Sequence, residues 1–145
     1  MPAFARSVVV DAPIEVVFGF HERTDALALL SPPVPPVRVV SRSAGLEPGS
    51  RVELRVALLP WIALHTAFER NRLFVDEQLR GPFAKWVHRH EFEDLGSKTR
   101  LTDRVEFRLP GGVFVNAALG WLVKVGLHTM FRHRHKITRL FCEKA

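Results

Sequence analysis

Two alternating runs joined by a short turn, GPFAKWVHRHEFEDLGSKTRLTDRVEF, leave few conformations open to residues 81–107. Side chains on an extended strand point to opposite faces in turn, so residues two apart share a face. Trp86, His88, His90 and Phe92 therefore line one face of the first run. Leu101, Asp103, Val105 and Phe107 line one face of the second. The intervening positions, such as Lys85, Arg89, Glu91, Arg104 and Glu106, are mostly charged. A turn centred on Leu95–Ser97 sets His90 opposite Asp103, His88 opposite Val105 and Trp86 opposite Phe107. A slip of one residue would put the aromatic face in water and the charges inside, so the polarity contrast holds the register. The hairpin must turn a face of aromatic rings, two imidazoles and a carboxylate towards the interior.

The same alternation fills the middle of the chain. Strands are predicted over 3–10, 37–43, 51–58, roughly 62–72, 73–79, 85–93 and 99–109, with turn signals at 45–50, Pro60, 80–82 and 96–97. Between the first two strands, IEVVFGFH and TDALALL read as short helices. Asp11 before Pro13 marks the start of the first helix, and Thr24 or Asp25 caps the second. SPPVPP is a rigid connection that no helix can continue through. With 145 residues, 47% of them hydrophobic, residues 1–145 suit one domain with a substantial core. The single Cys142 excludes an internal disulfide framework and makes a cytoplasmic location the expectation. It is expected to be inert. The N-terminal residues lack the apolar stretch and cleavage site of a signal peptide.

Residues 113–142 carry the longest periodic pattern. At helical spacing Val115, Leu119, Leu122, Val123, Gly126, Met130, His133, Ile137, Leu140 and Phe141 fall on one face, the one expected to meet the sheet. Lys124, His128, Arg132, His135 and Arg139 fall opposite. In HTMFRHRH (128–135), His133 and His135 lie about 160° apart around the helix, so they cannot chelate together, and the segment reads as solvated surface. About 29 residues give a rod of roughly 44 Å, enough to cross a sheet. Lys124 and His128 break the apolar run before the roughly 20 residues a membrane span needs. Phe114, Ala118, Trp121 and Val125 nevertheless make the first turns apolar almost all round, so a loop such as Leu58–Trp61, a second subunit or a membrane surface should cover them. Residues 113–145 hold six Lys/Arg against one acidic residue, whereas residues 1–112 hold fifteen against fourteen. The net charge of +6 thus belongs to the C-terminal segment. Its neighbouring aromatics are on the core side, so it lacks the stacking platforms of a nucleic-acid surface.

The order of strand, two short helices, six strands and a long helix resembles the START-like, or SRPBCC, helix-grip superfamily, which includes polyketide cyclases/dehydrases. The resemblance covers essentially the whole chain. DAPIEVVFGFH, LLSPP, FVDEQLRGPFAKWVHRHEF and TRLTDRVEF are similar to a bacterial branch related to domains labelled cell-division inhibitors. It implies an α+β helix-grip fold, in which a curved antiparallel sheet of about seven strands wraps the C-terminal helix and encloses a ligand-sized cavity.

The candidate site follows from the hairpin. A buried carboxylate costs several kcal/mol unless it is paired, and His90 is the partner that the register supplies for Asp103. Asp76 and Gln78 on the preceding strand extend the polar line, and Leu122, Gly126 and Met130 face it from the helix. A mostly apolar cavity with a few convergent polar groups suits a small hydrophobic ligand. The imidazoles could be architectural, orient a ligand, or act with Asp103 in acid/base catalysis on a polyketone. His-x-His with Asp103 is also a metal-ligand pattern, but Asp103 is already committed to His90, so no metal or other cofactor is expected. Gly126 either leaves room for the ligand or allows close helix–sheet packing. The leading expectation is a carrier or sensor of a hydrophobic molecule. A cyclase/aromatase-like enzyme with His90 and Asp103 as its pair is the alternative. A third is an interaction module, forming a homodimer or touching a membrane surface through the start of the long helix.

Overall fold

Alternation becomes strand where one face can be buried, and here a single sheet takes up every alternating segment. The computed structural model describes residues 2–144. Strands β1 (Ala3–Val10), β2 (Val37–Arg42), β3 (Arg51–Val56), β4 (Leu59–Glu69), β5 (Leu73–Arg80), β6 (Lys85–Asp94) and β7 (Thr99–Arg108) form one sheet, with helices α1 (Ile14–His21), α2 (Ala26–Leu30) and α3 (Gly112–Cys142). The strand order is β1-β7-β6-β5-β4-β3-β2, antiparallel throughout. The curved sheet grips α3, giving the α+β helix-grip architecture. Trp86 pairs with Phe107, His88 with Val105 and His90 with Asp103, the register that the polarity contrast requires.

Local signals differ in three places. Pro60 lies inside β4 opposite Arg55; the turn is at Ala57 and Leu58, with Ala57 at φ 54°, where an alanine gives no turn signal. Asp11 does not cap α1, whose N-cap is Pro13 without a side-chain bond; the Asp11 N–H donates to the Glu143 carboxylate instead. Asp25 is the N-cap of α2, but its side chain makes no capping bond, because both its oxygens accept from Arg23.

The interior has two apolar clusters. One joins Val10, Phe18, Phe20, Leu30, Phe74, Phe92 and Leu101 around α1 and the end of α3. The other joins Trp86, Val105, Phe107, Leu127 and Phe131. Along β6 the order is Trp86, His88, His90, Phe92, and along β7 it is Phe107, Val105, Asp103, Leu101. The polar residues therefore sit in a belt between the two clusters.

The packed face of α3 is not the one that hydrophobicity selects. Gly120, Leu127, Phe131, His135, Thr138 and Cys142 are buried, each one residue beyond a predicted stripe member except His135, which is two beyond His133. Leu119, Leu122, Leu140 and Phe141 are instead exposed. One residue is about 100° of helix rotation. The turn is explained by His135, which is only 2% exposed and is drawn inward by a bond to Asp103. The expected loop cover is also missing: Leu58 is 92% exposed, and Val113, Phe114, Trp121 and Val125 are all exposed. By length and composition, against the sequence expectation, α3 is apolar enough to cross a membrane, with a window of mean hydropathy 1.3. Its C-terminal half is nevertheless committed to the fold through Phe131, His135, Thr138 and Cys142. Burial pushes the Cys142 thiol up to about 11, which suits an inert role.

The rotation has a direct consequence for stability. Phe131→Ala is expected to cost about 3–5 kcal/mol as a core truncation, and Leu122→Ala about 0.5 kcal/mol or less as a surface change. Urea denaturation of both variants measures this, and the sequence-based stripe would give the opposite order.

Candidate functional site

Asp103 is the centre of the belt. Its Oδ1 accepts from His88 Nε2 at 2.8 Å and its Oδ2 from His135 Nε2 at 2.6 Å. The Arg6 guanidinium donates to His135 Nδ1. Arginine only donates, so the His135 proton lies on Nε2 and points at Asp103. Four residues from β1, β6, β7 and α3 thus form one chain, buried at His88, Asp103 and His135 and half-buried at Arg6. His90, which faces Asp103 across the strands, bonds elsewhere: its Nε2 donates to Asp76 Oδ2 at 2.9 Å, while its Nδ1 is 3.4 Å from Asp103 Oδ1. The predicted His90–Asp103 pair is therefore corrected to His88–Asp103 and His90–Asp76. Directly opposed residues have neighbouring backbones, but the long imidazoles reach diagonally. The two rings lie against each other with centroids 3.6 Å apart. Phe74 stacks on His90 at 3.8 Å, and Phe131 meets His88 edge-on at 5.0 Å.

These contacts set the charges. Burial works to raise the Asp103 carboxyl, but the bonds from His135 and His88 outweigh it and hold the group well below the usual carboxylate range. Burial likewise opposes ionisation of Asp76, and the His90 bond with the field of His88 overrides it, leaving about 2. For His90, burial and then the neighbouring His88 act together and bring it down to about 3, against the pull of Asp76 and Asp103.

In front of the belt lies a cavity of about 710 Å³ between the sheet, α2 and α3. Its walls include Leu30, Val52, Leu54, Trp61, Trp86 and Met130, and its floor is Asp76, His88 and His90. Exposed lining residues Val34, Pro35, Gly126 and Thr129 mark the mouth between the α2–β2 connection and α3. A Cβ on Gly126 would meet nothing within 4 Å, so the glycine borders open space and is not a close-packing device.

Of the sequence-selected residues, Trp86, His88, His90, Asp76, Gly126 and Met130 line the cavity. Asp103 stands behind His88. Phe92 and Leu101 are packed in the first cluster and Val105 and Phe107 in the second, so they support the wall without lining it. Gln78 is spent on the 81–84 loop, bonding the Phe83 carbonyl and N–H. Leu122 is 54% exposed and points away. Sequence reasoning missed His21, His65, His133 and Arg134, which also line the cavity. Five of the seven histidines thus face one space. His65 was discoverable, since it shares a strand face with Ala63 and is paired with Asp76. His135 was hidden by assigning the basic arc of α3 to solvent, and Arg134 by reading segment 128–135 as solvated surface. Buried His65 Nδ1 and Arg134 Nε have no hydrogen-bond partner among the described residues.

The model of the family described as polyketide cyclase / dehydrase and lipid transport matches residues 10–134. A nucleoside-diphosphate sugar epimerase from Corynebacterium glutamicum is 28% identical over 94% of this chain, with a TM-score of 0.72; the chain spans 28% of that protein's length. A START superfamily protein from Mycobacterium smegmatis is 18% identical, with 98% and 97% of the two chains covered and a TM-score of 0.70. An aromatase/cyclase, Zhui, from Streptomyces sp. R1128 is 14% identical, with 98% and 93% covered and a TM-score of 0.74. The last two likenesses concern the fold alone. No curated protein sequence matches the chain.

The belt makes the fold acid-sensitive in two stages. His90 at about 3 lies below its ordinary 6.5, so its contribution is complete above pH 6.5 and is lost as pH falls towards 3. Asp76, at about 2 against 3.8, adds a loss confined to the interval between those values. Denaturation midpoints measured from pH 7 to 3 should fall throughout, and His90→Gln should flatten the upper part of that slope.

Proposed function

This chain belongs to the polyketide cyclase / dehydrase and lipid transport family, and on that footing we propose that it binds a mostly apolar small molecule in the cavity, as a carrier or sensor. The observation that carries this reading is the cavity itself: about 710 Å³, apolar-walled, with a polar floor at one end. Small-molecule sites commonly have about 300–1,000 Å³ and a few fixed polar groups. The hydrocarbon part of the ligand lies along Leu54, Trp61 and Met130, where removal of apolar surface from water supplies affinity. A carbonyl or other polar group meets His88 and His90, whose orientations Asp103 and Asp76 fix. Arg134 favours an acidic or strongly accepting group nearby.

A second reading rests on one geometric detail. With its Nε2–H held by Asp103, His88 keeps Nδ1 for the cavity side, 3.9 Å from Asp76 Oδ2. A neutral imidazole backed by a carboxylate is equipped to take a proton from a carbon next to a carbonyl. In cyclase-like catalysis of that kind, His88 is the base and Asp103 the residue that positions it. Turnover of a poly-β-ketone analogue, abolished in His88→Ala and retained in His128→Ala, separates this reading from simple carriage.

Protein purified from its own organism should retain small apolar molecules in native mass spectrometry. His90→Ala should weaken that retention without abolishing it. Gly126→Leu gives a sharper test. Leucine gains about 0.8–1 kcal/mol of helix propensity over glycine and its Cβ meets nothing within 4 Å, so stability should be kept or raised while ligand uptake falls. Unchanged uptake would remove the mouth of the cavity from the binding path.

A further inference from the structure

The floor of the cavity has the makings of a metal centre. One donor atom from each of Asp76, His88 and His90 lies within 4.8 Å of the other two. His90 Nε2 and Asp76 Oδ2 are 2.9 Å apart, and His88 Nδ1 and the same oxygen 3.9 Å. Nitrogen and oxygen donors about 2.0–2.2 Å from a tetrahedral zinc are about 3.4 Å from each other, so small side-chain rotations bring the three into range. The donors converge from two neighbouring strands, β5 and β6, on the wall of an open space, which leaves a coordination position towards the cavity.

The surroundings fit as well. Imidazoles that hold a metal through one nitrogen usually donate the other N–H to a carboxylate, which fixes the tautomer and raises ligand basicity. Asp103 Oδ1 stands at that position for both rings. It already accepts from His88 Nε2 at 2.8 Å. It lies 3.4 Å from His90 Nδ1, where the His90 proton would move once Nε2 is taken by a metal. His135 and Arg6 anchor the carboxylate from behind. An independent sign comes from β4: His65, 5% exposed, is paired with Asp76, lines the same cavity, and has a buried Nδ1 without a hydrogen-bond partner among the described residues.

We propose that Asp76, His88 and His90 bind a divalent first-row transition-metal ion, with zinc as the reference ion, that His65 is placed to supply a fourth donor, and that Asp103 is the outer-sphere residue orienting both histidines. Two imidazoles and one carboxylate suit zinc, iron(II), cobalt(II) or nickel(II) rather than magnesium or calcium. The sequence argument against a metal took Asp103 as a ligand already consumed by His90. With Asp76 as the carboxylate ligand and Asp103 behind the rings, that objection disappears. The proposal goes beyond small-molecule carriage and does not depend on it.

The test uses the full-length protein stripped with a chelator and freed of organic ligand by extraction. Calorimetric titration with Zn²⁺ at pH 7 should show one tight site per chain. Co²⁺ should give the intense visible bands of a four- or five-coordinate ion. Tight binding should be lost in His88→Gln and His90→Gln, weakened in His65→Ala, reduced about 10–100-fold in Asp103→Asn, and unchanged in His128→Ala. Should the belt variants misfold, two-bond ¹H–¹⁵N spectra of wild-type protein decide. Zinc must shift the ring nitrogens of His88 and His90 at one equivalent. Signals of those rings that stay fixed, or a pale six-coordinate cobalt spectrum, overturn the site.

Discussion

A carboxylate inside a protein is stable only if its oxygens are satisfied, and the structure is arranged around meeting that need at Asp103. Its two oxygens are taken by His88 on the adjacent strand and His135 on α3. The bond to His88 belongs to the sheet, and the bond to His135 joins the sheet to the helix. Removing one partner of such a buried pair commonly costs about 3–5 kcal/mol, because the other is left uncompensated. That is more than exposing a few half-buried leucines, which explains why α3 turns His135 inward and leaves Leu119, Leu122 and Leu140 at the surface. The helix is set by a polar contact, and its apolar contacts adapt.

This ordering explains which parts of the structure were readable in the sequence. Strand alternation between β6 and β7 is a local property with a strong polarity contrast, so the register, the inward face and the seven-strand sheet could all be derived. The rotation of α3 could not, since a hydrophobicity count scores His135 as polar and has no knowledge of a carboxylate 32 positions earlier in the chain. The same limit applied to pairing. The register puts His90 opposite Asp103, yet side-chain reach decides that Asp103 receives His88 and His90 turns to Asp76. Asp76 and Gln78 looked equivalent on β5, but Gln78 is tied to the Phe83 backbone and only Asp76 remains for the cavity. The predicted residues thus overlap the cavity lining, while the one predicted pair, His90–Asp103, gives way to His88–Asp103 and His90–Asp76.

The alternation Trp-x-His-x-His-x-Phe has a second consequence. Because Trp86 belongs to one apolar cluster and Phe92 to the other, the two histidines between them mark the seam where the clusters part. Gly126, Val123 and Met130 face the open side of this seam, where Val123 and Met130 are only partly buried against the second cluster. The stripe combined two different surfaces, a cavity wall and an exposed flank. Hydrophobicity alone does not distinguish them.

Whether such a belt is architecture or a working site can be judged from what it leaves unspent. Buried polar groups in folded proteins are nearly always satisfied, and a network with a purely structural role closes on itself. The Arg6–His135–Asp103–His88 chain does close along its length. At the cavity end it does not: among the described residues His88 Nδ1 has a carboxylate oxygen only at 3.9 Å, and His65 Nδ1 and Arg134 Nε have no hydrogen-bond partner. All three residues face the same space. Idle capacity spread over the interior would indicate imperfect packing. Here it is concentrated around one apolar cavity, from the sheet at His65 and His88 and from α3 at Arg134, which supports the proposed binding role.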